Sequence, residues 1–257
     1  MSTQEVSWSA DDRREHIKRD LQQSGFVSVK GLTRRFGVSD MTVRRDLRRL
    51  EEEGELRIVH GGASLPIGAD YSQRGQSEPN AKATIGRFAA SLLPRNATVL
   101  MDAGTTVAAV AQSLPDDFGG YVITHSVPVV EALLQRPGQH VHCLGGEVRS
   151  ESRAMIGPTT VENLAKVNAQ YLVLGAAAVN DHGVFVDKDI ERGTKSALIS
   201  ASQRVILVVD RTKFTKLSPV VLAPLAVVDE IVTDANPPTA IADVCESLGI
   251  TVHVVQP

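Results

Sequence analysis

Near the N-terminus, apolar residues recur at the spacing of amphipathic helices. This pattern predicts one helix over residues 11–23 that ends at Gly25, a second over residues 28–36 and a third over residues 40–53. A short strand-like run over residues 56–60 and a pair of glycines follow. Two helices joined by a tight turn and followed by a β wing predict a winged helix-turn-helix domain.

Farther along the chain, short runs of Val, Leu and Ile alternate with amphipathic stretches. The runs that we interpret as buried parallel strands are residues 98–102, 121–124, 140–144, 171–174, 204–210, 230–233 and 251–255. Helical patterns separate most of them, at residues 83–93, 107–114, 127–135, 161–166 and 191–202. This alternation predicts a larger α/β domain with a mostly parallel sheet covered on both faces.

The composition of the chain changes near residue 64, from an arginine-rich helical part to the α/β part. Residues 66–79 hold Gly, Ser and Pro with few apolar side chains, which is typical of a linker or an extended arm. We therefore expect an N-terminal domain over residues 1–64, a linker over 65–80 and an α/β domain over 81–257.

The overall charge of the chain is −3 and its aromatic content is 4%, which disfavours a broadly basic nucleic-acid binder or a surface that stacks single-stranded bases. A DNA-binding surface would have to be local. Cys143 and Cys245 are far apart and show no metal-binding spacing, so we expect two core residues and no metal or other cofactor. The polar first fifteen residues and the lack of an apolar run near ~20 residues predict a cytoplasmic protein without a leader or a membrane span.

The third predicted helix separates apolar from basic residues. At about 100° per residue, Val43, Leu47 and Leu50 share one face. The opposite face and its edge carry Met41, Arg44, Arg45, Arg48 and Arg49. Guanidinium groups suit the major groove because they donate two hydrogen bonds to guanine and also contact phosphates. The alternative is a solvated arginine-rich face. Asp46 points sideways and is expected to pair with an arginine rather than to contact DNA.

Residues that flank this helix are further candidates for DNA contacts. Ser39 and Thr42 lie at its predicted start, where a hydroxyl can reach a phosphate or a base edge. The wing supplies Arg57 and His60 beside the Gly61-Gly62 turn, where the backbone can approach a phosphate closely. A bare turn is the alternative interpretation of the two glycines.

The first strand of the α/β domain ends in a polar motif, Asp102-Ala103-Gly104-Thr105-Thr106. The free N–H groups of a helix N-terminus attract a phosphate, Gly104 allows close approach, and Thr105 and Thr106 add hydroxyl donors. Asp102 is a candidate acceptor for sugar hydroxyls. The alternative is ordinary helix capping by threonine.

Similar residues follow the next strands: Thr124, His125 and Ser126, and then Gly145, Gly146 and Arg149. Since parallel strands end at one rim, these residues predict a ligand site there. Glu191 and Lys195 are one helical turn apart, either as site residues or as a surface ion pair. Lys213 is a candidate phosphate contact.

Residues 13–63 resemble the N-terminal domain of DeoR-type bacterial regulators. The resemblance is carried by Phe26-Val27-Ser28-Val29, Leu32, Phe36-Gly37-Val38-Ser39, Thr42-Val43-Arg44-Arg45-Asp46-Leu47, Leu50, Gly54 and His60-Gly61-Gly62-Ala63. The wing departs from the usual pattern, because Ile58 stands where the family has Arg and an arginine occupies position 57 instead.

The α/β part resembles the sensor domain of the same family. The matching residues are Asp102, Gly104, Thr105, Thr106, Thr124, Ser126, Gly145, Gly146, Arg149, Gly157, Glu191, Lys195, Asp210, Lys213 and Phe214. The resemblance implies a fold related to ribose-phosphate isomerases and CoA transferases, with a phosphorylated sugar or a related intermediate as effector. His125 replaces the usual Asn, so this ring either contacts the ligand or fills space.

Three functions are compatible with these motifs. We expect a homodimeric or homotetrameric repressor of a carbohydrate operon that leaves its DNA operator when a sugar phosphate binds. The alternative is a sugar-phosphate isomerase or deaminase with a DNA-binding domain, in which Glu191 is the base and Lys195 or Lys213 assists. A nicotinamide-sensing regulator is disfavoured, because the first strand–helix turn has a single glycine, Gly104, rather than a Gly-x-Gly-x-x-Gly motif.

Overall fold

The chain forms two compact units, which divide between residues 69 and 70. The computed structural model describes residues 8–53, 55–64, 70–136 and 138–256. The predicted helix stop at Gly54 and positions 65–69 of the predicted linker lie outside these ranges. Among the described residues, no helix has the length and apolar character that crossing a membrane requires.

Three helices build the N-terminal unit, as predicted. They are α1 (Ala10–Ser24), α2 (Val29–Phe36) and α3 (Asp40–Glu52). The side chains of Ser9, Ser28 and Ser39 each accept a hydrogen bond from a backbone N–H three residues later, which fixes the start of each helix. Gly25 and Gly37 adopt the left-handed conformation and end α1 and α2.

A small antiparallel sheet completes this unit, with strand order β1-β3-β2. Its strands are β1 (Phe26–Ser28), β2 (Arg57–Val59) and β3 (Gly62–Ser64). The β2–β3 wing was predicted, whereas the three residues of β1 were not. Gly62 is essential to the pairing, because a Cβ at this position would lie 2.0 Å from the carbonyl oxygen of Val27. Ile17, Leu21, Val43, Leu47 and Leu50 form the core beneath the sheet and helices.

The second unit is organised around a seven-stranded parallel sheet of order β15-β14-β12-β9-β4-β5-β6. The strands of this unit are, in chain order, β4 (Thr98–Met101), β5 (Tyr121–Thr124), β6 (His140–Cys143), β7 (Glu147–Arg149), β8 (Ala154–Ile156), β9 (Ala169–Gly175), β10 (Ala178–Asn180), β11 (Gly183–Val186), β12 (Ser202–Val208), β13 (Val220–Ala223), β14 (Glu230–Thr233) and β15 (Thr251–Val254). Strands β7 and β8 form a hairpin, and β10, β11 and β13 form an antiparallel sheet. The parallel sheet was predicted, and the short antiparallel strands were not.

Helices cover the parallel sheet. They are α4 (Tyr71–Gln76), α5 (Pro79–Ser91), α6 (Thr105–Gln112), α7 (Val127–Leu134), α8 (Pro158–Leu164), α9 (Asp189–Ser200) and α10 (Thr239–Leu248). Successive residues of one strand enter different cores: Leu100 belongs to one apolar cluster, while Val99 and Met101 belong to the other. The sheet is therefore covered on both faces, as its apolar strands predict.

Two strands predicted as buried are exposed, because they are the edges of the sheet. Strand β6 lies at one edge and β15 at the other, and most of their side chains are exposed or half-buried. Cys143, which we expected in the core, is exposed for this reason, whereas Cys245 is buried. An edge strand has one hydrogen-bonded neighbour and less cover from helices.

Residues 70–80 belong to the second unit and contain α4 and the start of α5, although their composition predicted a linker. Asp70 starts α4 with a capping box, in which its side chain accepts from Gln73 N and the Gln73 side chain accepts from Asp70 N. This local signal stabilises a short helix within a Gly- and Ser-rich stretch.

Candidate functional site

Helix α3 presents its basic side chains outward, on the predicted face. Val43, Leu47 and Leu50 are buried, whereas Met41 is 75% exposed. The arginines exposed on the opposite face and its edge are Arg44, Arg45, Arg48 and Arg49. A convex surface with several guanidinium groups is suited to a nucleic-acid groove.

The four arginines of α3 differ in their ion pairs. Arg44 Nε lies 3.2 Å from Asp40 Oδ1, and Arg49 Nε lies 2.9 Å from Glu53 Oε1. Arg45 and Arg48 have no ion pair within the described part of the chain. These two guanidinium groups are therefore the ones that an external anion can engage without first displacing a carboxylate.

A buried ion pair attaches α3 to α1. Arg13 Nε donates to Asp46 Oδ2 at 2.8 Å, and Arg13 Nη1 donates to the carbonyl oxygen of Trp8 at 3.0 Å. Both charged side chains are over 90% buried, and Arg14 adds a weaker contact at 3.8 Å. Asp46 thus pairs with an arginine, as expected, but with one on a different helix, so the pair sets how α3 is rotated against α1.

The start of α3 and the wing lie at the surface of the same unit. Ser39 Oγ accepts from Thr42 N at 3.2 Å and lies 2.9 Å from Thr42 Oγ1, so each hydroxyl is already engaged locally. Arg57 and His60 are exposed, and Gly61 has a left-handed φ of 79°. The wing therefore presents a cation, an imidazole and a turn that favours glycine.

In the second unit, the carboxyl ends of β4, β5 and β9 converge on one buried carboxylate. Asp102 follows β4 and is fully buried. Its Oδ2 accepts from Gly175 N at 3.0 Å and from the ammonium group of Lys195, which reaches in from α9. Lys195 also donates to the carbonyl oxygen of Gly175 at 3.0 Å. The predicted pair between Glu191 and Lys195 is absent from the described contacts, since Lys195 is buried against Asp102 instead.

His125 completes this network. Its Nε2 lies 3.1 Å from Asp102 Oδ1, and its Nδ1 lies 2.9 Å from the carbonyl oxygen of Met155. Both oxygens are acceptors, so both contacts are hydrogen bonds only when the ring carries two protons. The ring is 3% exposed. His125 therefore links β5 to the β7–β8 hairpin through the two nitrogens of its ring.

The charges around Asp102 change its acidity. Burial alone would raise the pKa of this carboxyl group, but Lys195 and His125 lower it to about 2. Asp102 is consequently ionised at neutral pH, and both of its oxygens are occupied by internal donors. It holds the rim together and orients Lys195 and His125.

The N-terminus of α6 borders an open space beside this network. Gly104 precedes the helix and is buried, yet a Cβ added to it would meet no atom within 4 Å. The hydroxyls of Thr105 and Thr106 make no hydrogen bond with other described residues. Free backbone N–H groups and two unengaged hydroxyls can hold an anion here.

Other predicted rim residues are engaged in the fold. Thr124 Oγ1 donates to the carbonyl oxygen of Met101 at 2.7 Å and accepts from Ser126 N, while the Ser126 side chain caps α7. Gly145 and Gly146 form a left-handed turn after β6. A Cβ at Gly146 would lie 2.2 Å from Thr160 Oγ1. These residues shape the rim and offer few free groups to a ligand.

The predicted basic residues Arg149 and Lys213 are half-buried. Arg149, on β7, has a long 3.5 Å contact with Glu147, and Lys213 lies in a 3-10 turn, Arg211–Phe214, after β12. Lys213 has no ion pair at contact distance within the described chain, and Glu191 has none either. The described residues contain no group of three or more His, Cys, Asp or Glu side chains placed to hold a metal ion.

Asp210 lies at the same rim, although the spacing of residues in the sequence did not by itself identify it as a site residue. It is fully buried after β12, and its Oδ1 accepts from Thr212 N at 3.1 Å. Its Oδ2 is buried without a hydrogen-bond partner. An aspartate placed directly after an apolar strand, as Asp102 is, was the signal available in the sequence.

Comparison with known proteins covers both units. Residues 13–67 match the DeoR-like helix-turn-helix domain, and residues 77–235 match the DeoR C terminal sensor domain. The glycerol-3-phosphate regulon repressor of Escherichia coli is 32% identical over 240 residues, which cover 92% of this chain and 93% of that protein. The transcriptional repressor AccR of Agrobacterium fabrum is 35% identical over 251 residues, 93% of this chain and 95% of that protein.

Among solved structures, ribose 5-phosphate isomerase A from Methanocaldococcus jannaschii aligns with a TM-score of 0.40 at 14% identity, over 53% of this chain and 55% of that one. The family matches and the two relatives extend over the described helix-turn-helix and over the sheet that carries Asp102. The chain therefore belongs to the DeoR family of helix-turn-helix transcriptional regulators.

Proposed function

We propose that this protein is a repressor that binds duplex DNA through α3 and is released from it when a phosphorylated sugar or related intermediate occupies the rim around Asp102. The observation that carries the proposal is the division of α3 into a buried face, fixed by Asp46, and an exposed face with two unpaired arginines, Arg45 and Arg48. The relatives named above are repressors, which favours a regulator over an enzyme.

On the DNA side, we assign direct contacts to the exposed residues of the N-terminal unit. Arg45 and Arg48 are placed for base edges or phosphates, while Arg44 and Arg49 can exchange their exposed carboxylate partners for phosphates. The remaining contacts are assigned to Ser39, Met41, Thr42, Arg57, His60 and Gly61.

On the effector side, the free groups of the rim are those of a site for a hydroxylated anion. Thr105, Thr106 and the N-terminus of α6 attract the anion, with Lys213 as a further cation. Asp210 Oδ2 is free to accept from a sugar hydroxyl. Asp102, His125 and Lys195 hold these groups in position. One relative is the glycerol-3-phosphate regulon repressor of Escherichia coli, which agrees with a small phosphorylated polyol as effector.

The repressor is proposed to act as a homodimer or homotetramer on repeated or palindromic operator sites. A twofold axis in the protein would match a twofold axis in the DNA, so that two copies of α3 enter successive major grooves. Light scattering with and without operator DNA measures the number of chains per complex, and a monomer in both conditions would contradict this part of the proposal.

The DNA test compares the wild type with Arg45→Ala and Arg48→Ala on a duplex from the region upstream of the protein's own gene. Each substitution should weaken binding about tenfold or more, since a good bidentate contact contributes about 1–3 kcal/mol. Arg87→Ala, in an exposed position on α5 of the second unit, is the matched control. Wild-type affinity in the Arg45→Ala, Arg48→Ala double variant would exclude α3 as the DNA-binding element.

The effector test adds glycerol 3-phosphate, hexose phosphates, their unphosphorylated forms and inorganic phosphate to the preformed DNA complex. A true effector must bind the DNA-free arrangement more tightly than the DNA-bound one, since equal affinity shifts nothing. We expect release by at least one phosphorylated compound and none by its unphosphorylated form. Failure of every phosphorylated compound to bind or to release DNA would overturn the assigned effector class.

A further inference from the structure

Helix α4 is the first element after residues 65–69, and it contacts the rim of the proposed effector site. Tyr71 N donates to the carbonyl oxygen of Glu151, in the β7–β8 turn, at 2.7 Å. The guanidinium of Arg153 lies 5.7 Å from the centre of the Tyr71 ring. A Cβ at Gly75 would lie 3.9 Å from the side chain of Thr105, so the backbone of α4 borders the N-terminus of α6.

The C-terminal end of α4 is held by a buried lysine of the next helix. Lys82 is 5% exposed, and its ammonium group donates to the carbonyl oxygens of Arg74 and Ser77. Glu78, in the left-handed conformation before α5, accepts from Arg211 at 2.9 Å. The α4–α5 junction is therefore fixed internally by Lys82 and attached to the turn after β12 through Glu78 and Arg211.

Arg74 belongs to a group of three cations, with Lys213 and Lys216, in which only Lys216 has a carboxylate at contact distance among the described residues. Burial lowers the pKa of Lys216, Asp187 raises it, and the charges of Lys213 and Arg74 lower it further. Lys216 Nζ lies 2.9 Å from Asp187 Oδ2. Arg74 and Lys213 have no carboxylate at contact distance among the described residues, and Arg74 Nε is buried without a hydrogen-bond partner.

A second side chain at this rim also has a buried polar atom without a hydrogen-bond partner. The carboxylate of Asp210 is fully buried, and its Oδ2 makes no hydrogen bond. The charges of Lys213 and Lys82 act on this carboxylate: burial raises its pKa, and these two cations together with hydrogen bonds from Thr212 lower it below the ordinary value. Unpaired cations beside an acceptor with a free oxygen match an anion that also carries a hydroxyl group.

We propose that Arg74 binds the anionic group of the effector, together with Lys213 and the N-terminus of α6, so that a filled site holds α4 more firmly on the sensor unit. This inference rests on the proposed function. Because α4 directly follows the residues that lead from the DNA-binding unit, its docking is the step that an occupied site can change. Arg74, which the composition of residues 66–79 placed in a linker, is thereby an effector contact.

The experiment uses the full chain, with inorganic phosphate as a probe of the anion subsite and the releasing sugar phosphate from the panel as the complete ligand. Arg74→Gln removes the charge, Arg74→Lys keeps the charge without the planar donor pair, and Arg87→Gln on the exposed side of α5 is the control. Calorimetry measures affinity, and amide hydrogen exchange of residues 71–76 measures the docking of α4.

We expect Arg74→Gln to weaken both probes at least tenfold, Arg74→Lys to weaken them less, and Arg87→Gln to behave as wild type. In the wild type, either probe should slow exchange in residues 71–76, and in Arg74→Gln this protection should be lost. The backbone carbonyl of residue 74 still accepts from Lys82 in these variants, so unfolding without ligand should be unchanged.

The outcomes separate this inference from the proposed function. Unchanged affinity in Arg74→Gln, with sugar phosphate still releasing DNA, would remove Arg74 from the site and leave the effector class intact. Exchange in residues 71–76 that ignores ligand in the wild type would reject the coupling through α4. If neither probe binds the wild type, the effector class itself fails.

Discussion

The buried pair between Arg13 and Asp46 makes the DNA-binding unit sensitive to one isosteric substitution, Asp46→Asn. The two side chains are 8% and 3% exposed, so the substitution leaves a buried guanidinium without its carboxylate. Removing one partner of a buried pair costs about 3–5 kcal/mol. We expect about 3 kcal/mol, because the amide oxygen of Asn can still accept from Arg13 Nε.

This loss is large relative to the stability of so small a unit. At about 0.05–0.15 kcal/mol per residue, a unit that ends at residue 69 is stable by only about 3–10 kcal/mol. With a urea dependence of about 1 kcal/mol per molar for a small domain, the midpoint of unfolding should fall by about 3 M. A partly unfolded N-terminal unit would also lose DNA binding, since α3 would no longer be fixed against α1.

The single tryptophan makes the measurement specific to this unit. Trp8 packs edge-on against His16, with ring centres 4.6 Å apart, and against Phe36 at 5.5 Å. Its fluorescence therefore follows the N-terminal unit, while far-UV circular dichroism is dominated by the larger second unit. We expect Asp46→Asn to move the fluorescence transition and to leave the unfolding of the second unit and its effector affinity unchanged.

Asp40→Asn is the matched control, because it removes a carboxylate from the same helix at an exposed ion pair with Arg44. Exposed pairs contribute about 0–1 kcal/mol, so its fluorescence transition should move by less than 1 M urea. Equal midpoints for Asp46→Asn and Asp40→Asn would refute the assignment of the buried pair as the contact that fixes α3.

Three further predictions concern the same two units. Asp102→Asn should destabilise the second unit by about 3–5 kcal/mol, because Lys195 loses its buried partner. The pKa of Asp102 in the folded wild type is lowered from 3.8 to about 2, so its ionised form adds about 2 kcal/mol to the stability of the second unit above pH 4. This contribution is lost as the pH falls through 2. Acid titrations followed by circular dichroism should show it in the wild type and not in Asp102→Asn. Burial lowers the pKa of Lys82 from 10.5 to about 8, so protonation of this side chain opposes folding. In denaturant titrations, the unfolding free energy of the wild type should therefore rise by about 3 kcal/mol between pH 8 and 10.5 relative to that of Lys82→Met. Parallel plots of unfolding free energy against pH for the two proteins would contradict this. Gly62→Ala should shift the Trp8 transition by about 2 kcal/mol or more, because its Cβ would collide with a backbone carbonyl of β1; an unchanged midpoint would show that the wing relaxes freely.

The amphipathic helices and the parallel sheet were predictable because their signals are local. Serine caps, left-handed glycines and apolar runs each act within a few residues of the element that they define. The edge positions of β6 and β15 were not predictable, since the apolar content of a strand does not reveal how many neighbours it has. Strands of three residues, such as β1, exist only because a distant segment pairs with them.

The strand ends that the sequence places at one rim lie together in the structure, but the contacts among their side chains depend on the fold. Local spacing pairs Lys195 with Glu191, four residues earlier, whereas the structure pairs it with Asp102, 93 residues earlier. A fully buried carboxylate attracts the lysine more strongly than an exposed one, because water does not screen their interaction. Sequence spacing cannot anticipate such a choice, since burial is a property of the packed molecule.

The distribution of hydrogen bonds at the rim has a consequence for effector specificity. Thr124, Ser126, Asp102 and His125 use their polar atoms on one another or on the backbone, so substitutions there should change the shape and stability of the site for every ligand. Under the proposed function, the groups that remain free, on α4, α6 and the turn after β12, are the ones that would distinguish one effector from another. Because α4 follows directly from the residues that lead to the DNA-binding unit, the same helix would contribute both to recognition of the effector and to transmission of its binding.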